Sequence, residues 1–150
     1  MTVAGPSLAI RHARDEDAGA IADLCVQLGY AATADEIASR LRKLLAMPTQ
    51  AVFVACDEDD SVRGYIATEQ RLLLESGAHV EIVGLAVDAA HRRGGAGRAL
   101  LTAAESWAYR RGVSRLRVRS NVLREEAHAF YPGMGYALDK TQHCYLRDLA

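Results

Sequence analysis

The sequence predicts one α/β domain over residues 1–150, built on a single mixed sheet with the element order β α α β β β α β α β. Its 150 residues suit one compact domain, whose core we expect over about 8–149. Two apolar runs, 51–56 and 62–67, flank a polar turn and predict an antiparallel hairpin. The run 80–87 is apolar on both alternating faces apart from one glutamate, which is typical of a central strand covered on both sides.

Local signals define the elements before the hairpin. Residues 8–13 predict a short first strand, and the acidic residues 15–17 suit the positive end of a helix that ends near Gly29. Thr33 is a good N-cap for a second helix over about 34–46, because apolar residues recur there at helical spacing.

The chain after the central strand alternates between helix and strand. A helix over about 97–111 precedes a strand over 114–120, and another helix covers about 124–133. The short runs 136–138 and 144–146 then predict a closing hairpin. Together these elements complete one mixed sheet with two crossover helices.

The composition excludes several classes of protein. With 18 basic and 19 acidic residues, the net charge of -1 gives no overall attraction to nucleic acid or to an acidic membrane, so we expect neither partner. No apolar run has membrane-spanning length and the first residues lack the pattern of a secretory signal, so we expect a cytoplasmic protein. Cys25, Cys56 and Cys144 lie far apart and outside any CxxC, which predicts core packing, and we expect no metal.

A glycine-rich turn joins the central strand to the next helix. Bare backbone N–H groups and the positive end of the helix dipole meet there, which favours phosphate, and flanking arginines suit a pyrophosphate. The turn matches neither a Walker A motif nor GxGxxG, and a glycine-capped helix with solvated arginines is the alternative interpretation. The candidate cofactor-binding residues of the turn are Arg92, Arg93, Gly94, Gly95, Ala96, Gly97 and Arg98.

The turn resembles a known motif. Arg92-x-x-Gly95-x-Gly97 is similar to the Arg/Gln-x-x-Gly-x-Gly/Ala motif of the Gcn5-related N-acetyltransferase (GNAT) family. The resemblance implies an acyl-CoA N-acyltransferase fold in which this turn binds the pyrophosphate of acetyl-CoA. Many members carry Gly where Arg93 stands, which affects the pose of the cofactor rather than its binding.

A second segment supports the resemblance. Residues 127–131 (AHAFY), followed by Gly135-Tyr136, are similar to the later helix of the family, although Pro132-Gly133 replaces its commoner acidic-basic pair. The element order matches from about residue 8 onward. The resemblance therefore implies transfer of an acetyl group from acetyl-CoA to a primary amine of a small molecule or peptide, by a homodimer of the small-molecule branch.

Two residues are candidates for acid–base catalysis. Glu81 is the glutamate of the central strand, and 81–87 (EIVGLAV) resembles a pattern in the family whose glutamate is the general base. A solvent-facing carboxylate or one paired with an arginine is the alternative. Tyr131 lies where the family places the acid that protonates the departing thiolate, although an aromatic residue that only packs would fit as well.

Backbone groups and one amide complete the predicted site. The resemblance implies that the N–H of Leu85 stabilises the oxyanion beside a bulge near Gly84, and that Leu85, Ala86 and Val87 pair with the pantetheine arm. Asn121 is similar to an asparagine of a small-molecule branch and is a further cofactor contact. Because neither motif contains a cysteine, we expect direct transfer.

Three observations leave alternatives open. Arg115, Arg117 and Arg119 share one face of a strand, where they either bind an anionic acceptor or form a solvated or salt-bridged surface. His128 is either a second base or a surface histidine. A non-catalytic acyl-CoA sensor or assembly module is the alternative function, and a phosphate-dependent nucleic-acid binder conflicts with the balanced charge. The sequence does not identify the acceptor.

Overall fold

The computed structural model describes residues 8–92, 94–120 and 125–150 of the chain. The chain forms two compact units, Met1–Arg119 and Ser120–Ala150. In the described part, the first unit contains strands β1 to β5 and helices α1 to α3, and the second contains α4. Their bounds are β1 Ala9–His12, α1 Ala18–Gln27, α2 Ala34–Leu45, β2 Gln50–Cys56, β3 Val62–Leu73, β4 Gly77–Val87, α3 Ala96–Arg110, β5 Leu116–Val118 and α4 Glu125–Gly133.

The sheet of the first unit is mixed, as the sequence predicts. Its strands lie in the order β1-β2-β3-β4-β5. Neighbours from β1 to β4 are antiparallel, whereas β5 is parallel to β4. A parallel pair needs a crossover connection, and α3 provides it. Strand β4 is therefore internal, which confirms its predicted central place.

Helices cover both faces of this sheet. On one face, Val54 and Tyr65 belong to the same buried cluster as Leu24 of α1 and Leu41 of α2. Helix α3 packs against β2, β3 and β4, and its Leu100 is fully buried. Because successive strand residues point to opposite faces, covering both faces requires the nearly continuous apolar runs seen in the sequence.

The predicted closing hairpin is absent from the structure. Residues 134–150 form neither helix nor strand in the described part of the chain. The runs 136–138 and 144–146 have three residues each, which is too short to be stable as an isolated two-stranded ladder.

Core packing is confirmed for two of the three cysteines. Cys25 and Cys56 are buried, and burial raises the pKa of the Cys56 thiol. Cys144 is exposed, so its predicted core position is wrong. It belongs to the segment that forms no strand, and nothing in that segment buries it.

A buried ion pair joins β1 to the turn before α1. Arg11 donates to both carboxylate oxygens of Asp17, with Nη1 at 2.7 Å and Nη2 at 2.9 Å. We expect Arg11→Met to lower the free energy of unfolding by about 3 kcal/mol, because it leaves a buried carboxylate without its cation. Denaturant unfolding at neutral pH measures this difference.

The same pair predicts a pH dependence. Burial raises the pKa of Asp17, but the hydrogen bonds from Arg11 and from the Arg14 N–H outweigh it, so that pKa lies below its ordinary value. A carboxyl group whose pKa is lower in the folded protein than in the unfolded chain stabilises the fold at every pH above its pKa in the unfolded chain. That stabilisation is lost as the pH falls through its pKa in the folded protein. The difference in free energy of unfolding between the wild-type protein and Arg11→Met should therefore decrease as the pH falls from about 5 to about 2. A constant difference over that range contradicts the assignment.

Candidate active site

Strand β4 contains a bulge. Ala67 pairs with Gly84 and Thr68 pairs with Ile82, so Val83 is an extra residue without a partner on β3. The predicted irregularity near Gly84 is confirmed, with Val83 as the inserted residue.

The backbone groups of β4 beyond the bulge alternate in direction. The N–H of Asp88 donates to the Arg63 carbonyl of β3 at 2.7 Å. In an antiparallel pair every second residue makes such bonds, so Ala86 also directs its N–H and C=O toward β3. Leu85 and Val87 then direct theirs away from β3. Leu85 and Val87 therefore have backbone groups that could face the pantetheine arm, as predicted. Ala86, the third residue predicted to pair with that arm, directs its backbone groups toward β3 instead.

Nothing in the described chain adds a strand on the outward side. The parallel pairing of β4 with β5 ends at Ile82 and Val118, whereas β4 continues to Val87. The split predicted between β4 and the following strand is therefore present. The outward groups of Leu85 and Val87 lie along it.

The split leads to the glycine-rich turn. Gly95 is the N-cap of α3, has a left-handed φ of 85° and has open space where a Cβ would lie. Helix α3 begins at Ala96, so the N–H groups of 96–98 belong to its first turn and have no acceptor within the helix. Arg92 and Arg98 are exposed beside them. Such a turn has the geometry of a phosphate-binding site.

Asp88 holds the start of this turn, and the sequence analysis did not single it out. Its carboxylate accepts from the Ala90 N–H at 3.2 Å and from Gln27 of α1 at 3.4 Å, while Gln27 accepts from the Ala89 N–H at 2.8 Å. The Ala90 hydrogen bond is the main cause that lowers the pKa of Asp88; Gln27 and His91 add to it, and burial opposes them. An Asp directly before a short helical turn is a capping signal that could have revealed it.

Glu81 is buried and paired. The residue is 8% exposed, and its Oε1 lies 3.4 Å from His79 Nε2, 3.5 Å from Arg71 Nη1 and 3.4 Å from Arg119 Nε. Pairing with arginine, one of the alternatives for Glu81, is therefore present. The role of Glu81 as a base stays a prediction.

Glu81 is the centre of a charged group on one face of the sheet. Glu69 and Arg117 are its partners on β3 and β5 respectively. Glu69 also forms an ion pair with Arg71, whose Nε lies 3.2 Å from Glu69 Oε1. Residues paired across a ladder share a face, which here is the face of Tyr65 and therefore of α1 and α2. We call this group the sheet-face cluster; it consists of Glu69, Arg71, His79, Glu81, Arg117 and Arg119.

Tyr131 belongs to the second unit. Its ring makes edge-on contacts with Phe130 at 5.1 Å and with Tyr136 at 6.1 Å between centroids. Its carbonyl accepts from the Tyr136 N–H at 3.0 Å, so the predicted Tyr131 and Gly135-Tyr136 motif forms one compact element at the end of α4. His128 is exposed on the same helix.

Two candidate cofactor contacts, Arg93 and Asn121, lie outside the described residues. Among the described residues, no group of three or more His, Cys, Asp or Glu side chains could hold a metal ion. None of the described helices is both long enough and apolar enough to cross a membrane.

The chain matches known proteins in sequence. Residues 30–136 match the family model "Acetyltransferase (GNAT) family". The chain is 33% identical over 131 residues to aminoglycoside N(6')-acetyltransferase type 1 of Stenotrophomonas maltophilia, which covers 85% of this chain and 84% of that protein.

Solved structures share the fold. A crystal structure of the aminoglycoside 6'-N-acetyltransferase AAC(6')-Ih from Acinetobacter baumannii has a TM-score of 0.83 at 14% identity, covering 96% of this chain and all of that one. The aminoglycoside N-acetyltransferase AAC(6')-Iy in complex with CoA has a TM-score of 0.86 at 16% identity, covering 98% and 99%. At these identities the likeness concerns the fold alone.

Proposed function

Because the chain belongs to the GNAT family of acetyltransferases, it is an acetyl-CoA-dependent N-acetyltransferase, and we propose that it transfers the acetyl group directly to a primary amine of a small molecule, with Glu81 as base and Tyr131 as acid. The continuity of β4 carries this proposal. A buried carboxylate at Glu81, an outward N–H at Leu85 and the glycine-rich turn at 94–98 follow one another along one strand and the start of the next helix, which supports the proposal.

The proposed roles follow from this order. When bound, acetyl-CoA supplies the thioester whose acyl carbon the amine attacks. The Leu85 N–H donates to the carbonyl oxygen as it gains charge, and Val87 pairs with the pantetheine arm. The N–H groups of 96–98, with Arg92 and Arg98, bind the diphosphate.

Two protons move in opposite directions. The amine loses one toward Glu81, and the sulfur gains one from the Tyr131 hydroxyl when the C–S bond breaks. Glu81 precedes Leu85 by four residues, about 13 Å along an extended strand, so we infer that the amine passes its proton to the Glu81 carboxylate through linking waters and not by direct contact.

Tyr131→Phe tests the acid. It removes only the hydroxyl, so we expect kcat to fall by about 10- to 100-fold while the Kd for acetyl-CoA changes little. Tyr136→Phe is the matched control, because it removes a hydroxyl from the neighbouring ring of the same aromatic group. If both variants lose kcat equally, the effect belongs to the aromatic packing and not to proton transfer.

The test of the function is CoA release from acetyl-CoA, measured with a thiol reagent against a panel of amines. Aminoglycosides belong in the panel because the relative from Stenotrophomonas maltophilia is named for them. Acceptor-dependent thiol release, with an acetylated amine found by mass spectrometry, is the expected result. Calorimetry that detects no heat with CoA contradicts the proposed turn.

The chain is proposed to be one N-acetyltransferase domain and a cytoplasmic homodimer. The matched family model crosses the boundary between the two units, which supports one domain. Buried cysteines without disulfide bonds suit a reducing compartment such as the cytoplasm. Leu138, Tyr145 and Leu146 are 87 to 91% exposed, and a second copy would cover them. Light scattering on the purified protein measures the dimer, and a monomer at every concentration contradicts it.

A further inference from the structure

The bulge of β4 has a steric partner on β3, and we propose that Tyr65 is the positioning residue that keeps Val83 inserted and so directs the Leu85 N–H out of the sheet. This inference rests on the proposed function, in which that N–H donates to the thioester oxygen, and it adds the side chain that orients the donor. Three observations carry it: the exposure of Val83, the contact of the Tyr65 ring with Gly84, and the way α1 fixes that ring.

Packing of Val83 itself favours a strand without the bulge. Val83 pairs with no residue of β3 and is 52% exposed. In a strand that continued without the insertion, Val83 would lie opposite Ala67, on the face of the sheet that α1 and α2 cover. Burial of the valine and an unbroken ladder both stabilise that regular register. A different contact must therefore hold the bulge in place.

Tyr65 opposes the regular register because its ring occupies the space that Val83 would need. Gly84 now lies opposite Ala67, and a Cβ at Gly84 would be 3.3 Å from both Cε2 and Oη of Tyr65. Nonbonded carbon atoms are most stable at about 3.5 to 4.0 Å, so even a single methyl group is too close to the ring. A valine at this place would add two further methyl groups. The ring therefore selects the pairing that puts glycine beneath it.

The Tyr65 ring is held in place from its other side. Its Oη lies 3.5 Å from Cys25 Sγ of α1, and this contact is buried. Tyr65 is 8% exposed and belongs to the same core cluster as Leu24 and Leu41. Because a close-packed core transmits a displacement to its neighbours, moving the ring would disturb both helices. Helices α1 and α2 therefore keep the ring over Gly84.

The register determines which backbone amides are hydrogen-bonded within the sheet. With the bulge, Ala86 directs its N–H toward β3 and Leu85 directs its N–H away. Without the bulge, the two residues exchange these directions. Amides that are hydrogen-bonded in a ladder exchange with solvent more slowly than amides without such a bond. The exchange rates of these two amides therefore report the register independently of acetyl transfer.

The experiment measures hydrogen exchange by NMR on the full chain, in the wild-type protein, Tyr65→Phe and Tyr65→Val. After correction for intrinsic rates, we expect Leu85 to exchange at least about tenfold faster than Ala86 in the wild-type protein and in Tyr65→Phe, which keeps the ring. Tyr65→Val keeps a good strand former but opens the space over Gly84, so the order of the two rates should reverse. An unchanged order in Tyr65→Val, or a reversed order in Tyr65→Phe, overturns the inference.

Gly84→Val is a second test that leaves the core side chains intact. It places a side chain beneath the ring in the bulged register as well, so the ring no longer favours that register and exchange at Leu85 should slow by about tenfold. Ala78→Val is the control, because it adds a valine at an exposed position earlier on β4 and should change neither rate. A wild-type exchange rate at Leu85 in Gly84→Val contradicts the inference.

Steady-state kinetics connect the register to the reaction. We expect kcat to fall at least about tenfold in Tyr65→Val, because the proposed oxyanion donor turns into the sheet, and to fall less than about threefold in Tyr65→Phe. The two failures are distinct. If no amine of any class releases thiol, the proposed function fails, whereas the exchange rates of the protein alone still decide the register. If the exchange rates do not respond to Tyr65→Val while thiol release continues, only the inference fails.

Discussion

Glu81→Gln is expected to lower kcat about a hundredfold and to leave the Kd for acetyl-CoA unchanged. Primary amines have pKa values near 10, so at neutral pH most of the acceptor is an ammonium ion without a free electron pair. A glutamine amide keeps the shape of Glu81 but cannot accept that proton. Steady-state kinetics with a true acceptor, together with calorimetry for acetyl-CoA, measures the two quantities separately.

The loss of kcat in Glu81→Gln should depend on pH, and a variant of the neighbouring Glu69 is its control. As the pH rises toward roughly 9.5, more amine is already neutral in solution, so the loss in Glu81→Gln should shrink. Glu69→Gln is the matched control, because Glu69 lies directly across the ladder and also pairs with Arg71. Equal losses in both variants, with no change over pH, mean that the ion-pair network matters and that Glu81 is not the base.

Gly95→Val is expected to weaken CoA binding at least about tenfold. A left-handed residue other than glycine costs about 1 to 2 kcal/mol, and a branched side chain at this N-cap enters the space where the diphosphate must approach the backbone. Calorimetric titration with CoA measures the loss, and thermal unfolding reports the strain.

Gly112→Val separates strain from binding. Gly112 has a φ of 75° and open space at its Cβ, and it follows the other end of α3. The two variants should lower the melting temperature by similar amounts, while only Gly95→Val loses affinity for CoA. Similar losses of affinity in both mean that the diphosphate does not bind at the N-terminus of α3.

Features fixed by local pattern could be predicted from the sequence. The run 80–87 has no polar face apart from Glu81, which identified the strand with helices on both sides. The turn from Gly94 to Gly97 joins a strand to a helix, and its family resemblance agrees with the match to the family model. These signals lie within short stretches of chain, where spacing alone is informative.

Features that depend on contacts between distant residues could not be predicted. The partners of Glu81 come from β3, β4 and the residue just after β5, and no spacing in the sequence indicates that Arg71 and Arg119 meet there. The link from Gln27 to Asp88 spans 61 residues and depends on where α1 packs. The hairpin predicted for 136–146 was wrong, because a short apolar run forms a strand only beside a partner strand, which the pattern of the run itself does not reveal.

The inserted Val83 determines in which direction the backbone N–H and C=O groups of the later β4 residues point. In an uninterrupted strand, the backbone groups of Glu81 and Leu85 would both point toward β3. The Leu85 N–H, which is proposed to stabilise the oxyanion, would then be hydrogen-bonded within the sheet. One additional residue uncouples them, so a carboxylate embedded among strands and an amide that faces away from β3 lie four positions apart. The proposed chemistry therefore depends on an inserted residue whose own side chain has no role in it.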